Sequence, residues 1–246
     1  MVFGQKTKQR VIMDNTVCKY NKNDVCPFIQ ECDYGCVLQL MRKEVVYAFE
    51  HGSFVYGTEN KNSDFDVVWV VNDKFSDFLN QFENSIFQYQ PDKTIDFEYI
   101  TESRYIELIK EYDPMAIESL FLPKNRIVTG SPEKYLQYFN KDNWAIRQKF
   151  CAVSNNSWAK AHKKMTVKKD FNMYVGQKSL FHSIRLQMFA TQLCQNGRIT
   201  DYGCANNIWY DIIEEHSQCW DNYKEKYKPI YNKAHSELVK VAPKPE

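Results

Sequence analysis

The strongest constraint on the fold is a Gly-Ser pair that precedes two aspartates at the start of an apolar run. The pair is Gly52-Ser53, and the aspartates Asp64 and Asp66 open the run Phe65–Val71. In a strand, residues i and i+2 project from the same side, so the two carboxylates are expected together, near a turn whose glycine leaves room for a phosphate. Paired carboxylates can hold a divalent metal, which phosphoryl and nucleotidyl transfer require.

Three segments are predicted to be strands. Val45–Phe49 leads into the Gly-Ser turn, and the continuous apolar character of Phe65–Val71 predicts a sheet that is covered on both faces. Thr94–Ile100 alternates polar and apolar residues, as a strand does. This alternation places Asp96 and Glu98 on one face of the third strand.

Beyond Thr101 the pattern is helical, with helices predicted over 102–112, 115–122 and 132–139. The stretch 141–196 is also predicted to be helical and to stop at Asn196-Gly197. We therefore expect an α+β protein: a small mixed β-sheet domain with flanking helices over residues 1–140, including an irregular lead-in over 1–30. An α-helical domain over 141–246 is expected to follow.

The charge balance limits the classes of partner. Lys and Arg number 32 and Asp and Glu number 31, which excludes a nucleic-acid coat over the whole surface but leaves local basic patches open. The chain shows no apolar run of signal-peptide or membrane-spanning length. A cytoplasmic protein without a membrane partner is expected.

The chain has eight cysteines, of which four lie early. Without a secretion signal a disulfide framework is not expected. A zinc site and reduced thiols packed in a core both remain open for the early four, although their spacings lack a CxxC pair. These four are Cys18, Cys26, Cys32 and Cys36.

The segment from Gly52-Ser53 through Tyr56-Gly57-Thr58 and Ser63 to Asp64-Phe65-Asp66-Val67 resembles the hallmark of the DNA polymerase β-like nucleotidyltransferase superfamily, in its minimal or predicted-nucleotidyltransferase branch. The resemblance implies two Mg²⁺ ions and transfer of NMP from an NTP to a hydroxyl, with release of pyrophosphate. It implies that Gly52 and Ser53 hold the triphosphate and that Asp64 and Asp66 bind metal. Asp96 would be the third carboxylate, with Glu98 as its competitor.

Lys178, His182 and Arg185 form one stripe of a predicted helix. The resemblance implies that this stripe binds the nucleotide phosphates, whereas the charge pattern alone also fits a solvated basic face. His182 is either a neutral hydrogen-bonding residue or a proton donor. Leu180, Ile184 and Met188 are expected in the core.

A second basic cluster spans Trp158–Lys164 and continues at Lys168-Lys169. It fits either a surface that tracks an RNA or DNA backbone or an ordinary solvated helix face. The aromatic residues Phe171, Tyr174 and Phe181 are expected in the core rather than stacked on bases.

Together these features predict a Mg²⁺-dependent, template-independent nucleotidyltransferase that uses an NTP. Its acceptor could be an RNA 3′ end, a protein side chain or a small molecule. Two alternatives remain open at this stage. One is a catalytically silent nucleotide- or nucleic-acid-binding module on the same fold, and the other is an antitoxin-like protein that modifies a partner toxin.

Overall fold

The computed structural model describes residues 10–11, 44–75, 86–89 and 95–245. At residues 10, 11, 75, 86–89 and 95–97 only the backbone is described. The early cysteines Cys18, Cys26, Cys32 and Cys36, and with them the question of zinc, lie outside the described residues.

The strands and helices follow in the order ββαβββααβααααα. The strands are β1 Arg10–Val11, β2 Val45–His51, β3 Phe65–Val71, β4 Ile86–Tyr89, β5 Ile95–Thr101 and β6 Ile127–Thr129. The α-helices are α1 Ser53–Tyr56, α2 Glu102–Lys110, α3 Pro114–Ser119, α4 Glu133–Leu136, α5 Asn143–Thr166, α6 Met173–Asn196, α7 Asn206–Glu214 and α8 Trp220–Val241. Short 3-10 turns lie at Asp73–Phe75, Lys124–Arg126 and Lys168–Asp170.

The strands form one mixed sheet in the order β1-β4-β5-β3-β2-β6. The central strand β3 runs parallel to β5 and antiparallel to β2. Its residues Val67–Val71 are all buried, which confirms that the apolar run is covered on both faces. The fold is α+β, as predicted, with a small mixed sheet and a helical region after it.

The predicted strands β2, β3 and β5 are present within two residues of their expected bounds. The strands β4 and β6 were not predicted because they contain only four and three residues, too few to show a period. Arg10–Val11 forms a strand that pairs with β4, within a lead-in that was expected to be irregular.

The chain divides into two compact units that alternate along the sequence. The strand unit contains residues 1–55, 59–106 and 123–132, and the helical unit contains 56–58, 107–122 and 133–246. The helix α1 thus begins in the strand unit, and its last residue, Tyr56, is grouped with the helical unit. A single domain boundary at residue 140 stays a prediction.

The core of the strand unit joins the sheet to the start of α2. The rings of Tyr47 and Phe49 on β2 lie 5.1 Å apart, and Tyr105 of α2 lies 6.0 Å from the first and 6.2 Å from the second. All three side chains are fully buried. Asp73 accepts hydrogen bonds from the backbone N–H (3.1 Å) and hydroxyl (2.7 Å) of Ser103, which fixes the first turn of α2 to the end of β3.

The core of the helical unit is formed by α5, α6, α7 and α8 and is rich in aromatic residues. Trp220, Tyr223, Tyr227 and Tyr231 of α8 are buried at spacings of three and four residues, as one face of a helix requires. Leu180 and Ile184 are fully buried and Met188 packs against the core, as predicted.

Side-chain caps define where α5 and α6 begin, and a glycine defines where α6 ends. Asp142 accepts hydrogen bonds from Trp144 N and Ala145 N at the start of α5, and Asn172 accepts one from Val175 N at the start of α6. The predicted stop after Asn196 is confirmed, since Gly197 adopts φ 71° in the left-handed region. In the described part of the chain, no helix has both the length and the apolarity needed to span a membrane.

Candidate active site

The Gly-Ser turn and the first aspartates come together at one end of β2 and β3. His51, the last residue of β2, pairs with Asp66 in the antiparallel ladder, so Gly52 follows directly beside the aspartate strand. The rings of Phe54 in α1 and Phe65 in β3 lie 5.2 Å apart, edge to face. This contact packs the short helix against the start of the strand.

Gly52 lies in van der Waals contact with the Asp66 carboxylate. A Cβ atom at position 52 would stand only 2.2 Å from Asp66 Oδ2, and Gly52 has φ +77°, a conformation that side chains disfavour. Position 52 therefore requires glycine for two reasons, one of which is the space that Asp66 occupies. The Asp66 carboxylate fills the space that a side chain at position 52 would need, and we call this contact the glycine cradle.

A short, internally hydrogen-bonded turn presents Asp64. Asn60 N donates to Ser63 Oγ (2.8 Å), Ser63 N donates to Asn60 O (3.0 Å) and Asn62 N donates to Asn60 Oδ1 (2.8 Å). The polar loop 59–63 is thus an ordered turn rather than an extended linker. Asp64 and Asp66 follow it, and both are half-buried.

The backbone of β5 brings the third acid of the predicted set beside Asp66. In the parallel ladder between β3 and β5, Asp66 pairs with Asp96, while Glu98 pairs with Val68, two residues further along. Glu98 is exposed. The register therefore sets Asp96, and not Glu98, level with Asp66.

The aspartates at this end of the sheet supply carboxylate oxygens, which are suitable ligands for a divalent cation. Carboxylate oxygens are the donors that Mg²⁺ prefers, and the glycine cradle leaves Asp66 room that a side chain would fill. Among the side chains that the structure describes, no group of three or more metal-ligating residues is assembled. The Asp96 side chain is not among those described, since only its backbone is.

The basic stripe of α6 changes character along its length. Lys178 is exposed, with its Nζ 5.3 Å from the Tyr174 ring centroid, and His182 is half-buried. Arg185 is only 3% exposed. The alternative of a solvated basic face is therefore wrong for Arg185, while the role of the stripe in nucleotide binding stays a prediction.

Arg185 belongs to a buried polar cluster within the helical unit. Its guanidinium lies 3.3 Å from the ring centroid of Tyr56, and its Nη2 lies 3.9 Å from Glu118 Oε1. The Tyr56 hydroxyl donates to Glu118 Oε2 at 2.6 Å. Burial raises the pKa of Glu118, and the charge of Arg185 and the Tyr56 hydrogen bond oppose this shift.

His182 is also tied to this cluster. Arg185 Nη2 lies 2.9 Å from His182 Nδ1, and because a guanidinium can only donate, Nδ1 accepts. This geometry favours the neutral, hydrogen-bonding form of His182 over the proton donor. Glu118 was missed in the sequence because it lies 62 residues from Tyr56 and carries no local motif.

Comparison with known proteins supports one family. Residues 27–201 match the RlaP family, described as the RNA repair pathway DNA polymerase beta family. No curated protein matches the chain.

Similar solved structures include two at low identity. One is spectinomycin adenyltransferase AAD(9) from Enterococcus faecialis with ATP and spectinomycin, at 13% identity and a TM-score of 0.40, covering 80% of this chain and 93% of that one. The other is a nucleotidyltransferase-like protein from Exiguobacterium sibiricum 255-15, at 8% identity and a TM-score of 0.28, covering 81% and 69%. We transfer no residue role from either. Because the family match spans most of the chain, the protein belongs to the RNA repair pathway DNA polymerase beta family and is a nucleotidyltransferase.

Proposed function

We propose that the protein transfers NMP from an NTP to a hydroxyl acceptor, with Mg²⁺ and without a template, and releases pyrophosphate. The observation that carries this proposal is the contact between Gly52 and the Asp66 carboxylate, with Asp96 in register on the neighbouring strand. Gly52 leaves space for the Asp66 carboxylate, and Asp96 lies level with Asp66 on the next strand. This arrangement suits a site for a metal-bound triphosphate.

Each residue of the site has a proposed role. Gly52 and Ser53 hold the triphosphate through the backbone and the Ser53 hydroxyl. Asp64, Asp66 and Asp96 would hold the metal, which would neutralise charge on the phosphates when bound. The hydrogen-bonded turn before Asp64 fixes the backbone there. The Asp64 carboxylate is therefore already in position when the nucleotide binds.

The proposed reaction is an in-line displacement at the α-phosphorus. The acceptor hydroxyl oxygen forms a bond to the α-phosphorus, and the bond from that phosphorus to the oxygen bridging to the β-phosphate breaks. Pyrophosphate leaves with the electron pair, and the hydroxyl proton passes to a carboxylate, for which we propose Asp96. No oxidant or further co-reactant is needed.

We retain the prediction that Lys178, His182 and Arg185 bind the nucleotide phosphates. Lys178 is exposed, so its ammonium group is accessible to an external phosphate. Arg185 is buried beside Glu118, and for it a direct phosphate contact requires the cluster to open. Separate Lys178→Ala and Arg185→Lys variants therefore test two different roles.

The experiment is incubation of the purified protein with each α-labelled NTP, with Mg²⁺ or with EDTA, and with total RNA or a protein fraction as acceptor. We expect Mg²⁺-dependent release of pyrophosphate and label in one acceptor fraction. Metal-independent nucleotide binding with no label in any fraction would contradict the proposal and favour a silent binding module.

A further inference from the structure

Part of the helical unit has an excess of positive charge, although the net charge of the whole chain is close to zero. Between residues 143 and 200 the chain has ten Lys and Arg residues and one acid, Asp170, although the net charge of the protein is +1. The rest of the chain is therefore acidic. This asymmetry indicates a surface built for a polyanion.

Most of this charge lies where α5 turns into α6. We call this region the α5–α6 corner and define it as residues 160–178, with lysines at Lys160, Lys163, Lys164, Lys168, Lys169 and Lys178. The lysines other than Lys164 are exposed. The corner is held together locally, since Asn172 N donates to Lys164 O at 2.8 Å and Gly176 packs against Met165.

Only part of the positive charge of the corner is neutralised. Asp170 pairs with Lys163 at 3.1 Å and with Lys164. The other four lysines have no carboxylate partner among the described residues. Their charge is available to an external anion.

Two aromatic residues, Phe171 and Tyr174, lie between Lys169 and Lys178 in the sequence. Phe171 is 49% exposed and Tyr174 is 43% exposed, so the expectation that they lie in the core is wrong. Phe181, one helical turn or more further along, is 4% exposed, as predicted. Lys178 lies over the Tyr174 ring, which keeps one face of that ring close to a positive charge.

We propose that the α5–α6 corner binds single-stranded RNA, the acceptor strand of the reaction. Free lysines suit successive phosphates, and exposed aromatic rings between them suit unpaired bases, which stack without regard to sequence. The description of the matching family as an RNA repair family favours RNA over DNA. The identity of RNA as acceptor depends on the proposed function, whereas the binding surface does not.

The test is fluorescence anisotropy with a labelled single-stranded RNA of twelve nucleotides, titrated at several salt concentrations. We expect Lys168→Ala with Lys169→Ala to weaken binding about 10- to 30-fold near 0.1 M salt and to lower the salt slope by about 1.4. Phe171→Ala with Tyr174→Ala should weaken binding at least about fivefold and leave the salt slope unchanged. Tyr174→Phe should retain wild-type affinity because it keeps the ring.

A matched control removes two exposed lysines from the C-terminal half of α8. This part of α8 lies beside the first half of α5 and not beside the corner, since His235 Nδ1 lies 3.7 Å from Cys151 Sγ. Lys233→Ala with Lys240→Ala makes the same change in net charge and should leave RNA affinity within about twofold. Equal weakening by both lysine pairs would overturn the proposal, because it would show nonspecific attraction to the whole protein. Tighter binding to DNA of the same sequence, or to phosphatidylserine vesicles in place of RNA, would also overturn it.

A separate variant keeps this inference distinct from the proposed function. Asp64→Asn with Asp66→Asn should bind the RNA as tightly as wild type while it loses transfer. If no acceptor is ever labelled but the corner variants lose RNA affinity, the proposed reaction fails and the binding surface stands. If RNA is labelled and the corner variants bind it normally, the reaction stands and the binding surface fails.

Discussion

The two polar regions of this protein are built in opposite ways. Asp64 and Asp66 near Gly52 are half-buried and follow an ordered turn, and the backbone of Asp96 lies beside Asp66 on the neighbouring strand. Tyr56, Glu118 and Arg185 are nearly inaccessible, come from distant parts of the chain and hold one another. The half-buried acids are accessible to a ligand from solvent. In the buried cluster, the charges of Glu118 and Arg185 face each other and are closed to solvent.

This difference predicts that the two regions respond differently to substitution. Removing an acid near Gly52 should abolish activity and spare the fold, because Asp64 and Asp66 are only half-buried. Removing an acid from the buried cluster should destabilise the fold, because it leaves a charge in the interior. Three substitution experiments and one alkylation experiment test this contrast, in order of expected effect.

The largest effect is expected from Asp96→Asn, compared with Glu98→Gln. We expect the first to lower transfer at least about a thousandfold, since loss of a metal-binding carboxylate or base costs several kcal/mol of transition-state stabilisation. Glu98→Gln, which makes the same chemical change two residues along β5, should stay within about threefold. Comparable losses in both variants would show that the register of β3 and β5 does not select the third carboxylate.

The next largest effect is expected on stability, from Glu118→Gln. This change keeps an acceptor for Tyr56 but leaves the buried Arg185 without a carboxylate counter-charge, and we expect the free energy of unfolding to fall by about 3–5 kcal/mol. Urea titration measures it. Lys226→Ala, which breaks the exposed pair with Asp211, should cost under about 1 kcal/mol. Equal costs would mean that burial does not distinguish the two pairs.

A smaller effect is expected from Gly52→Ala. The left-handed backbone costs about 1–2 kcal/mol, and the new Cβ displaces the Asp66 carboxylate, so transfer should fall at least about tenfold. Gly197→Ala is the control, because Gly197 has φ +71° and a Cβ there would meet only Lys141 at 3.8 Å. It should cost similar stability and no activity. Full activity in Gly52→Ala would show that the cradle does not position Asp66.

The smallest effect concerns the thiols of the helical unit. Burial raises the pKa of Cys194 and of Cys204 to about 11, whereas Cys219 is exposed. Because the thiolate is the nucleophile, iodoacetamide at pH 8 should alkylate Cys219 at least about tenfold faster than the other two. Their rates should rise as pH approaches 10. Equal rates at pH 8, read peptide by peptide by mass spectrometry, would argue against a closed core.

The same contrast explains what could be predicted from the sequence. Asp64, Asp66 and Gly52 lie in a local pattern whose spacing reports geometry directly, and the continuous apolar run of β3 marked the buried centre of the sheet. Asp96 was predicted as the third carboxylate, with Glu98 as its competitor. Which of the two lies level with Asp66 depends on the register between strands, and so on pairing of distant segments.

Burial was the property that the sequence did not reveal. The spacing of Lys178, His182 and Arg185 correctly indicated one stripe of a helix, but not that the stripe passes from solvent at Lys178 into the interior at Arg185. Likewise, Phe171 and Tyr174 were expected to be buried by residue type. Their exposure follows from a position at a helix turn that only the packing of α5 on α6 determines.

The most direct test of the central claim is pyrophosphate release in the presence of Mg²⁺ and NTP, for wild type and for Asp64→Asn with Asp66→Asn. We predict release by wild type that EDTA abolishes, and none by the variant, with the two proteins unfolding at urea concentrations that agree closely. A folded variant that releases pyrophosphate at the wild-type rate would contradict the assignment of this site.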